Sequence, residues 1–275
     1  MAIRQHELRD LVLEAHDLGT GEPVVFIQTA LIADELLPLA KELPLADGFR
    51  RIVYHRRGYA GSSPVAGPGS IARDAADCEA LLTALRIERA HVVGLSYSGA
   101  VALQLAADAP DRVHSLVLIE PPPVHIPSAG EFRQANEELL TTRRSRGATA
   151  ALDELLGAVI GPDWRQEIEH DVPGASEQMQ RDLLTFFDTD LPGLLTWQFD
   201  HRDAQRITCP VLHVGGSDTH RWFLEVRDLI HDWFPHAEDA QIEGARHSLA
   251  ATHTRRVAET IAEFLHRVSR EAPSP

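Results

Sequence analysis

With 275 residues the chain is long enough to bury a full core, and 44% hydrophobic and 24% charged residues make an ordinary globular composition. Its 41 acidic and 26 basic residues give a formal net charge of −15, which argues against nucleic acids and anionic membranes as partners, since both need a cationic surface. No stretch approaches the ~18 apolar residues of a membrane span, and the N-terminus lacks a signal-peptide run. With Cys78 and Cys209 as the two cysteines, we predict a cytoplasmic protein without a disulfide framework.

Short apolar runs typical of strands alternate with helical patterns along most of the chain. Residues 2–8 and 11–17 alternate around a turn and predict a hairpin. Continuous apolar runs predict strands buried on both faces at residues 24–27, 51–54, 90–93, 115–119 and 210–214. Helical spacing of apolar residues predicts helices over residues 71–85, 97–107, 221–232 and 254–268. The sequence therefore predicts an α/β fold with a mostly parallel sheet flanked by helices.

This alternation stops after Ile119 and resumes at Val211. Residues 121–206 carry helical patterns and no convincing strand, which predicts a helical lid inserted at the C-terminal edge of the sheet, where open α/β sheets bind ligands. We therefore predict a core of residues 1–120 and 207–270, a lid of residues 121–206, and a disordered tail of residues 271–275.

The sharpest local signal is Ser96 within Gly94-Leu95-Ser96-Tyr97-Ser98-Gly99, between a buried strand and a helix. Small residues there permit a turn tight enough to aim the serine hydroxyl at the helix N-terminus, where a negative charge is favoured. Two alternatives remain open: Ser96 as a mere N-cap of the helix, and Ser98 as the nucleophile.

A serine nucleophile needs a base and an acid that orients the base. His247 follows the last strand-like run and precedes the final helix, which predicts a loop at the strand ends. Two carboxylates follow strands between the serine and the histidine: Asp218 after a Gly215-Gly216 turn, and Glu120 before three prolines. The flexible turn favours Asp218, and Glu120 is kept as the rival.

These residues, in this order, resemble a lid-bearing member of the α/β-hydrolase superfamily over nearly the whole chain. The elbow at Ser96 resembles G-x-S-x-G-G, residues 56–63 resemble the R-G-x-G-x-S loop, residues 215–218 the G-x-x-D turn, and residues 244–247 the G-A-G-H loop. The resemblance implies a triad of Ser96, Asp218 and His247 without a cofactor. No metal-binding motif competes with it, because H-E-x-x-H is absent and two distant cysteines do not make a zinc site.

One departure concerns the loop after the strand at residues 24–27. The family usually has His-Gly there, whereas this chain has Gln28-Thr29-Ala30. By position, the backbone amides of Ala30 and Tyr97 would form the oxyanion hole, and Gln28 would add a side-chain donor.

The lid is rich in apolar residues and predicts a pocket with mainly apolar walls. We expect a small-molecule substrate, either a medium-sized apolar ester or lactone or a β-diketone-like compound, with Gln28, Glu120 and Trp197 in contact with it. Two alternatives are kept: a cofactor-free perhydrolase of the haloperoxidase type, and a hydrolase-like receptor with an idle triad. The sequence leaves monomer and homodimer open.

Overall fold

An eight-stranded sheet organises the protein, whose computed structural model describes residues 3–65 and 67–271. The strands are β1 (Arg4–Glu7), β2 (Val12–Leu18), β3 (Glu22–Ile27), β4 (Phe49–Tyr54), β5 (Ala90–Leu95), β6 (Val113–Ile119), β7 (Val211–Gly216) and β8 (Glu238–Ile242). Their order in the sheet is β1-β2-β4-β3-β5-β6-β7-β8. Strands β1 and β2 form the predicted antiparallel hairpin, β2 pairs antiparallel with β4, and every other pairing is parallel.

Helices cover both faces of this sheet, as predicted. They are α1 (Leu37–Lys41), α2 (Leu43–Ala46), α3 (Ile71–Ala84), α4 (Tyr97–Asp108), α11 (Arg221–Trp233), α12 (Leu249–Thr252) and α13 (Thr254–Glu271). Helices α5 to α10 belong to residues 121–206. Adjacent strand residues point to opposite cores, so that Val92 packs with α3, α4 and α11, while Val93 packs with α1, α12 and α13. This burial on two sides explains why the strands read as unbroken apolar runs.

Residues 121–206 contain helices and no strand. The helices are α5 (Ala129–Arg146), α6 (Ala148–Val159), α7 (Trp164–Asp171), α8 (Ala175–Thr185), α9 (Leu191–Thr196) and α10 (His201–Ala204), with a π-helical turn at Phe186–Asp190. Helices α5 to α8, the π-helical turn and the start of α9 share a separate apolar core that also takes in Leu31 and Ile32 from the loop after β3. Ala204 of α10 packs instead into the core that α3, α4 and α11 form with the sheet. The helical segment therefore packs onto that loop, although its division from the core as a separate lid stays a prediction.

The chain end departs from the prediction at one residue. Glu271, expected to begin a disordered tail, is the last residue of α13. The remainder of that predicted tail, residues 272–275, lies outside the described residues. None of the helices that the structure describes combines the length and the hydropathy needed to cross a membrane.

Candidate active site

Ser96 occupies a strained junction between β5 and α4. Its backbone has φ 50° and ψ −122°, a region that non-glycine residues adopt at a cost of about 1–3 kcal/mol, and such strain concentrates at functional sites. Its side chain does not cap α4, so the N-cap alternative does not hold. A Cβ at Gly94 would lie 2.4 Å from the carbonyl oxygen of Ser98, and one at Gly99 would lie 2.7 Å from Pro121. These glycines therefore allow the tight turn that the sequence predicted.

Ser98 is the other serine of the motif, and its hydroxyl is already engaged. The side chain is fully buried and bonds both backbone groups of Leu95, accepting from the N–H and donating to the carbonyl at 2.9 Å each. It closes the turn, which leaves Ser96 as the serine available for chemistry.

The imidazole of His247 is held by a carboxylate and by an aromatic ring. The histidine lies in the loop between β8 and α12, and its Nδ1 is 2.7 Å from Oε2 of Glu120. Phe223, in the first turn of α11, stacks on the ring with centroids 4.1 Å apart and planes 11° from parallel. An Nδ1–H that donates to a carboxylate leaves the Nε2 lone pair free to accept a proton. This histidine can therefore act as an oriented general base.

Glu120 ends up enclosed at the C-terminal end of β6, with no measurable exposure. Its Oε1 accepts from the N–H of Gly216 at 2.9 Å, and its Oε2 accepts from the Thr219 hydroxyl at 3.0 Å in addition to His247. Its backbone is also left-handed, with φ 40°. Three donors therefore surround the carboxylate, and the predicted contact of Glu120 with substrate stays a prediction.

The structure pairs His247 with Glu120 rather than with Asp218, the acid that the sequence favoured. Asp218 is exposed, and its carboxylate accepts from the adjacent Ser217 hydroxyl at 3.0 Å. A Cβ at Gly216 would lie 2.1 Å from the carbonyl oxygen of Ala245, and the Asp218 N–H donates to that oxygen at 3.0 Å. The glycine turn therefore lets β7 approach the histidine loop through the backbone, while the aspartate side chain points into solvent.

The two amides predicted to bind an oxyanion lie after neighbouring strands, at the same edge of the sheet. Tyr97 is the first residue of α4, where its N–H has no partner within the helix. Ala30 follows β3, which pairs with β5, and its N–H has no acceptor among the described residues. The adjacent Leu31, at φ 68°, donates its N–H to the Tyr59 hydroxyl at 3.3 Å, which fixes the loop. The oxyanion role of Ala30 and Tyr97 stays a prediction.

Thr29 stands where the family usually has glycine, and its hydroxyl donates to Glu35. Burial raises the pKa of the Glu35 carboxyl, against the lowering effects of the Thr29 hydrogen bond and of the charge on His247. A second carboxyl thus lies within electrostatic reach of the histidine. No motif in the sequence distinguishes Glu35 from an ordinary helix-flanking acid, so its place beside the histidine could not be predicted.

Gln28 lies buried directly after β3. Its Oε1 accepts from the N–H of Arg56 at 2.7 Å, whereas its Nε2 is buried without a hydrogen-bond partner in the described part of the chain. An unused donor of this kind is rare in folded proteins. The predicted contact of Gln28 with substrate stays a prediction.

Trp197, expected to face the substrate, is a packing residue. It is 7% exposed, its indole N–H donates to Gln104 at 2.8 Å, and its ring packs on His125 and Phe199 with centroids 4.8 and 5.1 Å away. Gln104 lies eight positions after Ser96 on α4, which is ~12 Å along a helix axis. These contacts place Trp197 in the packing beside α4, and its contact with substrate stays a prediction.

A buried ionic network, unforeseen in the sequence, connects the elbow with the helical segment. The Arg56 guanidinium donates to Asp74 at 2.7 Å and to Asp190, in the π-helical turn, at 2.5 Å. It also lies over the Tyr97 ring, 4.3 Å from the centroid, and the Tyr97 hydroxyl donates to Asp74 at 3.0 Å. Although burial alone would lower the pKa of Arg56, the two carboxylates hold it well above its usual value. The sequence did place Arg56 in a family loop, but its partners are distant in sequence.

A strand, a strained serine and a helix at the edge of a parallel sheet form the nucleophile elbow of the α/β hydrolases. The family model for the alpha/beta hydrolase fold matches residues 30–254, and the chain belongs to this family of hydrolases.

Solved structures of the same fold agree over nearly the full length. An esterase from Thermogutta terrifontis superposes with a TM-score of 0.79 at 21% identity, covering 98% of this chain and 99% of that one. The enol-lactonase from Burkholderia xenovorans LB400 superposes with a TM-score of 0.78 at 19% identity, covering 96% of this chain and 100% of that one. A bromoperoxidase from Bacillus anthracis has a TM-score of 0.75 at 21% identity, and the match covers 96% of this chain and 100% of that one. At these identities the likeness concerns the fold alone.

Two curated relatives match over part of their length. The acetyltransferase component of an acetoin cleaving system from Cupriavidus necator is 41% identical over 126 residues, 46% of this chain and 33% of the relative. A candidate carbamate hydrolase from Caulobacter sp. is 28% identical over 187 residues, 63% of this chain and 65% of the relative. The chain thus spans between a third and two thirds of these proteins.

Proposed function

We propose that this hydrolase uses Ser96 as its nucleophile, His247 as its general base and Glu120 as the acid of the triad. The observation that carries the proposal is the 2.7 Å hydrogen bond between Nδ1 of His247 and the buried carboxylate of Glu120. It occurs at the sheet edge where Ser96 is held in a strained conformation. A carboxylate in this position orients the imidazole and stabilises the imidazolium that forms during catalysis.

In the proposed reaction, Nε2 of His247 takes the proton of Ser96 as the serine Oγ attacks the carbonyl carbon. The amides of Ala30 and Tyr97 stabilise the oxyanion. When the bond to the leaving alcohol breaks, the histidine returns the proton to that alcohol, and an acyl-enzyme remains. Water, deprotonated by the same histidine, then attacks the acyl carbon, releases the carboxylic acid and restores the serine.

The substrate class follows from the surfaces around this site. The apolar core of the helical segment continues into Leu31 and Ile32, directly after Ala30, and Phe223 covers one face of His247. Apolar walls favour a medium-sized, largely apolar ester or lactone, with the C–C bond of a β-diketone as a further candidate bond. The likeness to proteins described as an esterase and an enol-lactonase supports this class.

A panel of p-nitrophenyl esters, lactones and β-diketones, each with and without peroxide, tests the proposal. We expect ester or lactone turnover and labelling by a fluorophosphonate probe, both lost in Ser96→Ala. Ser98→Ala is the matched control and should keep the label, because its hydroxyl serves the turn. Labelling that persisted in Ser96→Ala would refute the assignment of the nucleophile.

Two other outcomes of this panel point to different functions. Turnover that requires peroxide would favour a perhydrolase, the second candidate, to which the likeness of fold to a bromoperoxidase lends support. Binding of small molecules without turnover of any of them would favour a receptor.

A further inference from the structure

Two histidines and an aspartate from three separate chain segments converge outside the triad. His16 lies on β2, Asp34 in the loop after β3, and His55 directly after β4. Oδ1 of Asp34 is 3.0 Å from Nε2 of His16 and 2.8 Å from Nε2 of His55. All three atoms lie within 4.8 Å of one another. The antiparallel pairing of β2 with β4 and the parallel pairing of β4 with β3 bring these segments together.

The second nitrogen of His55 has an acidic partner of its own. Nδ1 of His55 is 3.0 Å from Oε2 of Glu14, on β2, and that oxygen also accepts from the N–H of Gly61 at 2.9 Å. A histidine that binds a metal through one nitrogen usually donates its other N–H to a carboxylate, which fixes the ring and its tautomer. Glu14 therefore stands in the position of such an orienting residue.

The hydrogen bonds of the cluster place a lone pair against a carboxylate unless a proton or a cation is added at its centre. If Nδ1 of His55 donates to Glu14, a neutral ring turns the lone pair of Nε2 towards the Asp34 carboxylate, and two acceptors face each other. Either a second proton on the ring or a cation shared with His16 removes this conflict. With both rings neutral, the two carboxylates contribute two negative charges, which a divalent cation balances.

The dimensions and the exposure of the cluster suit a metal ion. Ligand atoms about 2.0–2.1 Å from a tetrahedral zinc ion are about 3.3 Å apart. The two N–O separations, 3.0 and 2.8 Å, are slightly shorter than this, and the two imidazole nitrogens lie within 4.8 Å of each other. The side chain of His55 is 2% exposed, whereas those of His16 and Asp34 are 14% and 35% exposed. The site is thus anchored on its inner side and reached by solvent on its outer side, where water would complete the coordination.

We propose that His16, Asp34 and His55 form a binding site for a divalent transition metal of the zinc class, with Glu14 orienting His55. Two imidazoles and a carboxylate, with an open fourth position, form a donor set typical of zinc. The metal would join β2 and β4 to the loop that also carries Ala30 and Glu35. A site of this kind leaves no motif in the sequence, because its ligands are 18 and 21 residues apart along the chain.

A second cluster, at the opposite end of β3 and β5, serves as an internal comparison. Glu22 lies 3.2 Å from Nε2 of His91 and 2.7 Å from Nδ1 of His114, and the two rings stack with centroids 4.5 Å apart. The remaining nitrogen of His91 bonds the Ser115 hydroxyl rather than a carboxylate. Without an orienting acid, this cluster is the weaker candidate, and it provides the control.

Zinc titration of the untagged, chelator-treated full chain tests the proposal by calorimetry and thermal unfolding. We expect one tight site per chain and, at a hundredfold excess of Zn²⁺ over the dissociation constant, a rise of about 5 °C in the melting temperature. Asp34→Asn should abolish the tight site, and Glu14→Gln should weaken it about 10- to 100-fold. Ser96→Ala should bind zinc like the wild type, so this result is independent of the proposed hydrolase function.

His114→Gln is the matched control and should leave zinc affinity unchanged. Equal affinity in the wild type, Asp34→Asn and Glu14→Gln would overturn the proposal, as would loss of binding in His114→Gln alone. Absence of any tight binding to the wild type would show that the cluster is a protonated hydrogen-bond network. Because Glu14→Gln keeps the shape of the side chain, it tests the site even if Asp34→Asn folds poorly.

Discussion

At the scale of single residues, the identity of the acid that orients His247 matters most for the proposed reaction. Both candidate carboxylates follow a strand in the sequence, yet one is enclosed by three donors and the other is in solvent. The substitution of each acid by its own amide therefore separates their roles.

We expect Glu120→Gln to lower kcat about 10³- to 10⁴-fold, since an amide cannot stabilise the imidazolium and can impose the wrong tautomer on His247. Asp218→Asn should stay within about twofold of the wild type, as exposed substitutions remote from special contacts usually have small effects. Steady-state kinetics on the best ester of the panel gives both values, with circular dichroism as the check on folding. A large loss in Asp218→Asn together with a small loss in Glu120→Gln would refute the proposed triad.

Why the sequence misled at this position is a matter of side-chain direction. Local patterns identify where a strand ends, and they correctly placed both carboxylates after the ends of strands. They do not reveal that Gly216 serves a backbone approach to Ala245, or that the left-handed backbone of Glu120 directs its side chain to the histidine loop. By contrast, Ser96 could be found, because the elbow needs small residues at fixed neighbouring positions.

At the scale of elements, the segment that leads from β6 into α5 contains an unusual histidine. His125 packs against Trp197, and its Nε2 has no hydrogen-bond partner within the described residues. Burial, with a smaller effect from the charge of Arg133, lowers the pKa of His125 from 6.5 to about 4. The folded state therefore resists protonation of this ring more than the unfolded state does.

The consequence is a loss of stability in acid. Above pH 6.5 the ring is neutral in both states, and as the pH falls towards 4 the unfolded chain binds a proton first. After allowance for its partial exposure, His125 should account for about 1 kcal/mol of the free energy of unfolding that is lost between pH 7 and pH 5. Urea denaturation at both pH values should show a loss smaller by that amount in His125→Phe.

The exposed His236 offers the control for this prediction. His236→Gln should lose as much stability between the two pH values as the wild type does. If His125→Phe and His236→Gln behaved alike, His125 would not be the source of the effect.

At the scale of the whole molecule, Arg56 joins the sheet, the elbow and the helical segment through one buried charge. Removing one partner of a buried ion pair leaves the others uncompensated, at a cost of about 3–5 kcal/mol. We expect Arg56→Met to lower the free energy of unfolding by this amount in urea denaturation. Arg50→Met, which breaks the more exposed pair with Asp17, should cost at most about 1 kcal/mol. Similar losses in the two variants would contradict the importance of the network.

The sequence predicted the local features of the whole molecule but not the contacts between distant segments. Periodicity and apolar runs are local, and they predicted the parallel sheet, its two helical faces and the helical character of residues 121–206. The Arg56 network joins residues 18 and 134 positions apart, and the histidine–aspartate cluster joins three segments. Such contacts depend on the order of the strands in the sheet, which no local pattern specifies.

The succession of Glu120 and Pro121 also has a consequence for protein engineering. Pro121 lies so close to Gly99 that any side chain at that glycine would collide with it, so the first residue after Glu120 is pinned to the elbow helix. Exchange of the helical segment with that of a related hydrolase is an obvious way to alter substrate range. A chimera joined at residue 120 would replace Pro121 and remove the contact that fixes the backbone next to Glu120. A junction after Pro123 would transfer the helices and keep the Glu120 carboxylate in position beside His247.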